Sequence, residues 1–510
     1  MSDENKNNSE TLKQNSANVL ITEIEKLSLE DNSQDGKTEP TKTKVSSKKK
    51  KSGKMPKDQI TPQYIEKMRK EREEKKRLKR EALIAQGIDP DNDNKSPGYI
   101  KRELVTIPCK DRSENNKRSV VTLKIMTYNL LAQALIRRTL FPNNGDILKW
   151  GKRSKVLIQE LKDYDCDIMC LQEVDFTQYK TFWRPEFEKL GFITKFNRGT
   201  DKNHGVAIFF RRTLFSLIDT CHIDFDKEKS GDIEPRTITK NVGLILGLAL
   251  KSDASKVLII GTAHLFWHPF GTYERTRQTY IVLSKSQEFE KRIRVLHPNV
   301  NKVWKFFGGD FNSQPYDSPY LSITSKPVKY DNRCKRVISC STSFQYSTRR
   351  EGGSGEEEEG GNVEKFGENQ PKDPVPESFE ATKEQELLVE RIEKLHNSQP
   401  LRAISLYSVA YKHIDPKNAG IDNDRNEPFF SNWANAWRGL LDYIFVICDW
   451  DLKSDKRGNE KIETFEEVTD VVINKLLKLP HPDEMGLGQP RENEYPSDHL
   501  CLISDISLME

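Results

Sequence analysis

The chain has 510 residues, of which 35% are hydrophobic and 31% charged, and its mean hydropathy is −0.74. That polarity excludes one ordinary globule of this length unless polar segments dilute it, and no apolar run approaches the roughly 18 residues of a membrane span. The formal net charge of +4 excludes neither basic nor acidic partners, because it sums segments of opposite sign.

In chain order, residues 1–41 carry 4 basic and 9 acidic side chains, net −5. The opening MSDENKNNSE has no apolar h-region, so a secreted protein is not expected. Residues 1–58 read as a disordered tail, too polar to offset ordering entropy. Residues 42–80 carry 17 basic and 5 acidic side chains, net +12, including the run Lys48 to Lys51. A nuclear signal, a nucleic-acid contact and a plain solubilising tail all fit that run. Residues 59–98 read as a basic helix and linker, with Thr61 as N-cap, Pro62 at the first helical position and Gly87 as the stop. Such a helix tracks phosphates without sequence preference. The nucleus, nucleolus or cytoplasm is the expected location.

From residue 99 onward, short β-rich runs alternate with helical stretches, the pattern of an α/β or α+β sandwich. The acidic stretch 351–380 is net −8 and contains GGSGEEEEGG and PKDPVP. It reads as a disordered surface insertion over about 345–385 within one domain. The 8 cysteines show no CxxC, so free thiols are expected.

Several strand-like runs adjoin one polar residue each. LKIMTYNL carries Asn129, DIMCLQEV carries Glu173 and LIIGTAHL carries His264. WKFFGGDFN carries Asp310 and Asn312, and LLDYIFVI carries Asp442. Asp498 and His499 introduce the last run. A buried strand holds its end residue on a rigid platform, and several ends at one edge converge. Acids and amides gathered there face desolvation unless a cation or substrate compensates. The oxygen-rich set suits Mg²⁺, and the absence of HExxH and paired CxxC argues against structural zinc. Singly, each residue has a bland reading: Asn129 closes a turn, Glu173 is a solvated loop acid, and Asp498 with His499 is a surface pair. Asp310 follows two glycines, which permit a tight backbone approach.

The ordered set MTYNLL, LQEV, TAHLFWHP, GGDFNS, GLLDYIFV and PSDH, spanning 126–499, resembles the endonuclease/exonuclease/phosphatase superfamily. The resemblance implies a DNase I-like four-layer sandwich, two packed and mostly antiparallel β-sheets flanked by helices. TAHLFWHP and SNWANAWRGLLDYIF are similar to the deadenylase branch, which includes nocturnin and the Angel proteins. The basic helix, the YIKRELVTIP lead-in and the insertion resemble the fungal Ngl RNA exonucleases.

By that resemblance Glu173 is the principal metal ligand and Asp498 an acid near the metal, Mg²⁺ with Mn²⁺ as a substitute. Asn129 supports the metal and the scissile phosphate. Asp310 orients or deprotonates the attacking water, and Asn312 holds a phosphate oxygen. His499 stabilises the phosphorane-like state or transfers a proton. His264 contacts phosphate, and Asp442 supports the site. Trp437 and Pro269 form a clamp for a stacked base, with Asn432 at the base edge. Arg275 and Arg277 read either as phosphate contacts or as solvated arginines, and Trp437 also reads as a core residue. Asn203 and His204 match a substrate-side loop, where His204 stands in place of the branch's usual aspartate.

The implied activity is Mg²⁺-dependent 3′-to-5′ hydrolysis of RNA. The expected partners are single-stranded RNA 3′ ends, in ribosomal RNA precursors or poly(A) tails, and pre-ribosomal particles reached through the basic arm. Two other readings compete. One is a phosphatase or sphingomyelinase of the same superfamily, and the other is a non-catalytic RNA-binding factor.

Overall fold

Runs rich in Val, Ile, Leu and Phe form the strands, because branched and aromatic side chains pack well on a pleated surface. The computed structural model describes residues 98–108, 118–136, 141, 144–344, 375–435 and 437–510, with Lys70, Glu74 and Arg77 besides. The tail, the lysine run, most of the helix expected over 59–86, and residues 345–374 of the insertion lie outside them.

The first sheet runs β1 (Leu104–Thr106), β14 (Val471–Leu477), β15 (Leu502–Met509), β2 (Ser119–Asn129), β3 (Ile168–Asp175), β5 (His204–Arg211), β4 (Phe192–Asn197). The second runs β10 (Leu401–Ser405), β13 (Asp442–Asp449), β9 (Lys302–Asp310), β8 (Lys256–His264), β7 (Val242–Leu250), β6 (Phe215–Asp224). A short ribbon joins β11 (Asn432–Ala434) to β12 (Trp437–Gly439).

The period-2 pleat sorts side chains into layers. Ile125, Ile168 and Ile208 of the first sheet meet Leu246, Ile260, Phe306 and Ile444 of the second in the central core. The alternate residues Met126, Tyr128, Met169 and Leu171 pack with Leu157 and Leu161 of the helix Trp150–Tyr164. Ile245, Ile259, Phe307 and Phe445 pack with Ile281 and Ile293 of the helix Thr272–Leu296. The result is the expected four layers: helices, sheet, sheet, helices.

Strand direction then decides where the site lies. Each sheet is antiparallel except for one central pair, β2 with β3 and β8 with β9. Parallel neighbours end on the same side, so Asn129 and the end of β3 lie together, as do His264 and Asp310, which are register partners. β13 is antiparallel to β9 and starts where β9 ends, pairing Asp442 with Asp310. The glycines before Asp310 permit the approach. A Cβ at Gly308 would meet the Thr127 Cβ of the facing sheet at 3.3 Å, and one at Gly309 would meet the Ala263 carbonyl oxygen at 2.4 Å.

The insertion ends earlier than residue 385. Thr382 and Gln385 form a capping box that starts the helix Lys383–Asn397, and Arg336 donates to the carbonyls of Pro376 and Glu377. The Thr-x-x-Gln spacing is a helix-start signal that the charge count over this stretch obscures.

That helix buries Val389, Ile392 and His396. His396 Nε2 lies 3.0 Å from the Thr276 carbonyl oxygen. Burial, aided by the Lys326 charge, pushes this imidazole down to about 3. The fold therefore favours its neutral form, and that stabilisation is complete above the unfolded value of about 6.5 and lost as pH falls toward 3. We expect His396→Gln to flatten the acid limb of the stability curve by up to ~1.4 kcal/mol per pH unit. Denaturant titrations between pH 6.5 and 4 check this, and a parallel offset with unchanged slope contradicts it.

Candidate active site

β2 ends at Asn129, whose amide is wholly buried. Its Nδ2 donates to Glu173 Oε1 and Asp310 Oδ2, both at 3.0 Å, and its Oδ1 accepts from the Leu131 amide. One amide thus ties together carboxylates from two sheets. Glu173 reaches it through a break in β3. The register against β5 shifts between Leu171 and Val174, and Glu173 has φ +51°. Such a bulge re-aims a side chain, and left-handed backbone at a non-glycine residue is strain held by its surroundings. The second oxygen, Oε2, accepts the Ala132 amide at 2.9 Å.

Asp310 ends β9 and is 1% exposed. Its Oδ1 accepts the Asn312 amide at 2.9 Å. Burial pushes the Asp310 carboxyl up to about 6, against the pull of the His499 imidazolium. Asn312 has φ +47° and spends one amide hydrogen on the Leu265 carbonyl at 3.0 Å. His499 precedes β15. Its Nδ1 donates to Asp442 Oδ2 at 2.8 Å, and its Nε2 lies 3.6 Å from Asp310 Oδ2. Burial opposes charging this ring, yet Asp442 and Asp310 overcome it and raise the imidazole well above its ordinary value. His264 goes the other way. Its Nε2 is 3.5 Å from Asp310 Oδ2 and its Nδ1 4.0 Å from Glu173 Oε1, but burial holds it down to about 4. The two histidines are therefore pushed in opposite directions, His499 toward its cationic form and His264 toward its neutral form.

Asp498 is buried, which pushes its carboxyl up to about 6, with the Glu173 charge also acting on it. The edge holds four carboxylates, Glu173, Asp310, Asp442 and Asp498, against one imidazolium. Asp442 Oδ1 is buried without a hydrogen-bond partner. Ligand atoms of Asp310, Asp442 and His499 lie within 4.8 Å of one another. This excess of desolvated negative charge and oxygen donors fits a divalent cation.

Other residues complete the frame without having stood out in the sequence. Asp175 is buried and accepts the amides of Gln133 and Ala134 at 2.6 and 3.1 Å, fixing the loop after Asn129. Arg153 is 1% exposed and donates to the Leu130 carbonyl at 2.6 Å and to Gln133 Oε1 at 3.1 Å. Ser431 Oγ donates to Asp442 Oδ2 at 2.7 Å, and Ser497 Oγ donates to the Asn129 carbonyl at 2.7 Å. Arg153 had a legible signal: it shares an i, i+4, i+7 face with Leu157 and Glu160, so the helix places charges on a buried stripe.

The substrate-side expectations divide. Trp437 on β12 and Pro269 are half-buried, so Trp437 is not a core residue. Asn432 is buried on β11, and its backbone bridges to His499. His204 is buried as the register partner of Asp175, and burial presses its imidazole well below the ordinary value. The neighbouring Asn203 is exposed and uses its carbonyl to accept the Phe176 amide at 2.7 Å. Arg275 and Arg277 are corrected on both of their readings, as phosphate contacts and as solvated side chains. Arg275 is 4% exposed and donates to the carbonyls of Phe266 and His268 at 2.9 and 2.6 Å. Arg277 is 1% exposed and binds the Phe225 carbonyl at 2.7 Å and Glu274 Oε2 at 3.2 Å. Both guanidinium groups brace loops from inside, and Arg275 fixes the loop that carries Pro269.

Among known proteins, the chain is 50% identical over 477 residues to the RNA exonuclease NGL2 of Saccharomyces cerevisiae, covering 90% of this chain and 92% of that protein. It is 40% identical over 474 residues to the probable RNA exonuclease NGL3 of the same yeast, covering 89% and 91%. It is 34% identical over 484 residues to a probable RNA exonuclease of Schizosaccharomyces pombe, covering 91% of each. Residues 126–499 match the Endonuclease/Exonuclease/phosphatase family, and with its motif residues gathered where strand ends of the two sheets meet, the chain belongs to that family.

Proposed function

We propose that this protein is a metal-dependent 3′-to-5′ exoribonuclease that hydrolyses RNA phosphodiesters. The observation that carries this reading is the joint presentation of Asn129, Glu173, His264, Asp310, Asp442 and His499 at one strand edge. The 50% identity to a protein named an RNA exonuclease supports the choice of RNA. Glu173 and Asp498 would hold Mg²⁺, or Mn²⁺ in its place, with Asn129 in support. When bound, the ion supplies charge neutralisation at the phosphoryl oxygens. The chain's own groups do the rest. Asp310 orients a water and takes its proton as the water oxygen bonds to phosphorus. His499, favoured in its cationic form by Asp442, faces the negative charge that develops as the bond to the 3′ oxygen breaks and gives that oxygen a proton, so it leaves as a hydroxyl. Asn312 and His264 hold phosphate oxygens, and the exposed Asn203 lines the substrate side, with His204 buried next to it at the start of β5.

The direct test is incubation with end-labelled RNA, with and without EDTA. Stepwise shortening from the 3′ end that EDTA stops is the expected result. Turnover of a phosphoinositide or sphingomyelin with no RNA shortened sinks the proposal. Sequencing RNA 3′ ends in cells with and without the gene separates ribosomal RNA precursors, which we favour, from poly(A) tails.

Trp437 and Pro269 are the proposed base clamp, with Asn432 at the base edge. Stacking contributes roughly 1–3 kcal/mol per base. Trp437→Ala should therefore raise KM for a short oligonucleotide about 5- to 150-fold while the protein melts normally. An unchanged KM refutes the clamp. The basic segment 42–80 is proposed to hold long RNA or pre-ribosomal particles electrostatically, in the nucleus, nucleolus or cytoplasm. Removing residues 1–95 should weaken binding to long RNA at low salt and spare turnover of short oligonucleotides. Equal affinity of both forms rules that role out.

A further inference from the structure

A second basic feature lies outside every motif of the strand edge. A cavity of about 260 Å³ opens among the described residues between the segment after the helix Ser318–Thr324 and the loop after β13. Its wall carries Lys326, Lys329, Arg425, Lys456 and Arg457 against one acid, Asp455. Lys326 spends its ammonium on the His396 carbonyl at 2.7 Å, and burial pushes it down to about 7. The other four cations around so small a space repel one another unless an anion joins them. The chain supplies part of that charge: Asp455 shares the wall, Asp424 pairs with Arg425, and the Lys456 charge acts on the Asp451 carboxylate. No carboxylate lies within ion-pair distance of Lys329, Lys456 or Arg457 among the described residues, although other surface cations such as Lys285 and Arg292 are paired.

The wall is also fixed in advance. Lys326 and Lys456 exchange backbone hydrogen bonds at 2.7 and 2.6 Å, which locks the two segments side by side. Arg425 is only 11% exposed in its side chain, bonds the Arg457 carbonyl and pairs with Asp424 at 3.1 Å. Ser325 adds a hydroxyl, buried and without a partner, to the lining. No aromatic ring lines the cavity, so nothing there reads a base by stacking. Its size falls below the roughly 300–1,000 Å³ of sites for drug-sized molecules.

We propose that this cavity is an anion site for a phosphate group, held by Arg425, Lys456, Arg457 and Lys329. The chemistry is that of a multiply charged phosphate, as in pyrophosphate, a nucleoside monophosphate or the 5′-terminal phosphate of an RNA. Arg425 is held in place, and the exposed Lys329 and Arg457 side chains beside it supply further donors that match such oxygens in charge. The inference is independent of the hydrolytic reading and concerns none of the residues placed at the strand edge.

The test is calorimetric titration of the full-length protein in EDTA with pyrophosphate and with adenosine 5′-monophosphate. Two double variants are compared with the parent, Lys329→Glu with Arg457→Glu, and Lys456→Ala with Arg457→Ala. The second keeps the test open should charge reversal impair folding. The parent should show a saturable event that is weakened about tenfold or more in the variants, a loss of one charge-assisted contact or more. Hydrolysis of a short RNA bearing a 5′ hydroxyl should not change. A second arm compares RNAs of one sequence with a 5′ phosphate and a 5′ hydroxyl. A variant effect confined to the small anions assigns a free phosphate ester, and one confined to the 5′-phosphorylated RNA assigns the RNA terminus. Equal affinity of the parent and both variants for every probe overturns the site.

Discussion

Asp310→Asn is expected to lower the rate of RNA hydrolysis roughly 10²- to 10⁴-fold, the range for losing a positioned acid–base group. The substitution keeps size and shape but changes the hydrogen bonding, so the rate is read beside the melting temperature to isolate the chemistry. Asp310 has its oxygens fixed by Asn129 Nδ2 and the Asn312 amide, and burial pushes the carboxyl up to about 6. An asparagine there accepts no proton from water, and whichever way its amide turns, an NH₂ meets a hydrogen-bond donor. His499 also loses one of the two carboxylates that keep it protonated. Its imidazolium then gives up its proton at lower pH, so the alkaline limb of the rate profile moves toward acid. Single-turnover rates across pH, with melting temperature as the control for folding, check both parts. Activity within tenfold of the parent and an unmoved alkaline limb would remove Asp310 from the chemistry.

The strand-end acids and amides were legible because a strand is a local pattern and its terminal residue is read directly from it. Asn129, His264, Asp310 and Asp442 do sit at the ends or starts of β2, β8, β9 and β13. The resemblance supplied the four-layer arrangement; the strand pattern alone does not say which ends meet. Glu173 was visible by type, but its left-handed backbone was not, because the bulge arises from pairing with β5. Arg275 and Arg277 escaped for a different reason. They fall on Thr272–Leu296, a helix whose first two turns, Thr272 to Thr279, are buried on every side although most of these residues are polar. Polarity there reads as solvent exposure, and only the tertiary structure shows that carbonyls from the loops around Phe225 and Phe266 satisfy it. Ser431 is similar. A lone serine gives no signal until the chain returns it to Asp442.

Glu173→Ala is expected to abolish metal-dependent hydrolysis, roughly 10³-fold or more, while leaving RNA binding within a few-fold of the parent. Glu173 joins the Ala132 amide on one oxygen and the Asn129 amide on the other, so the residue positions a loop as well as supplying charge. Alanine removes both roles at once. Glutamine keeps the length of the side chain and one accepting oxygen, but its NH₂ faces the Asn129 amide or the Ala132 amide, so it removes the charge and one of the two bracing bonds. If negative charge for a cation is what matters, the glutamine variant is about as inactive as alanine. If the role is loop geometry alone, glutamine restores the part of the rate that the kept hydrogen bond supports. Titrating Mg²⁺ adds a readout that a loop defect does not mimic: weakened metal binding raises the concentration needed for half-maximal rate, with RNA affinity in EDTA unchanged. RNA binding survives in this account because the proposed clamp of Trp437 and Pro269 lies on other elements, β12 and the loop braced by Arg275. Full hydrolysis by Glu173→Ala at ordinary Mg²⁺ would take the metal away from β3 and leave the cluster of Asp310, Asp442 and His499 as the place to look for it.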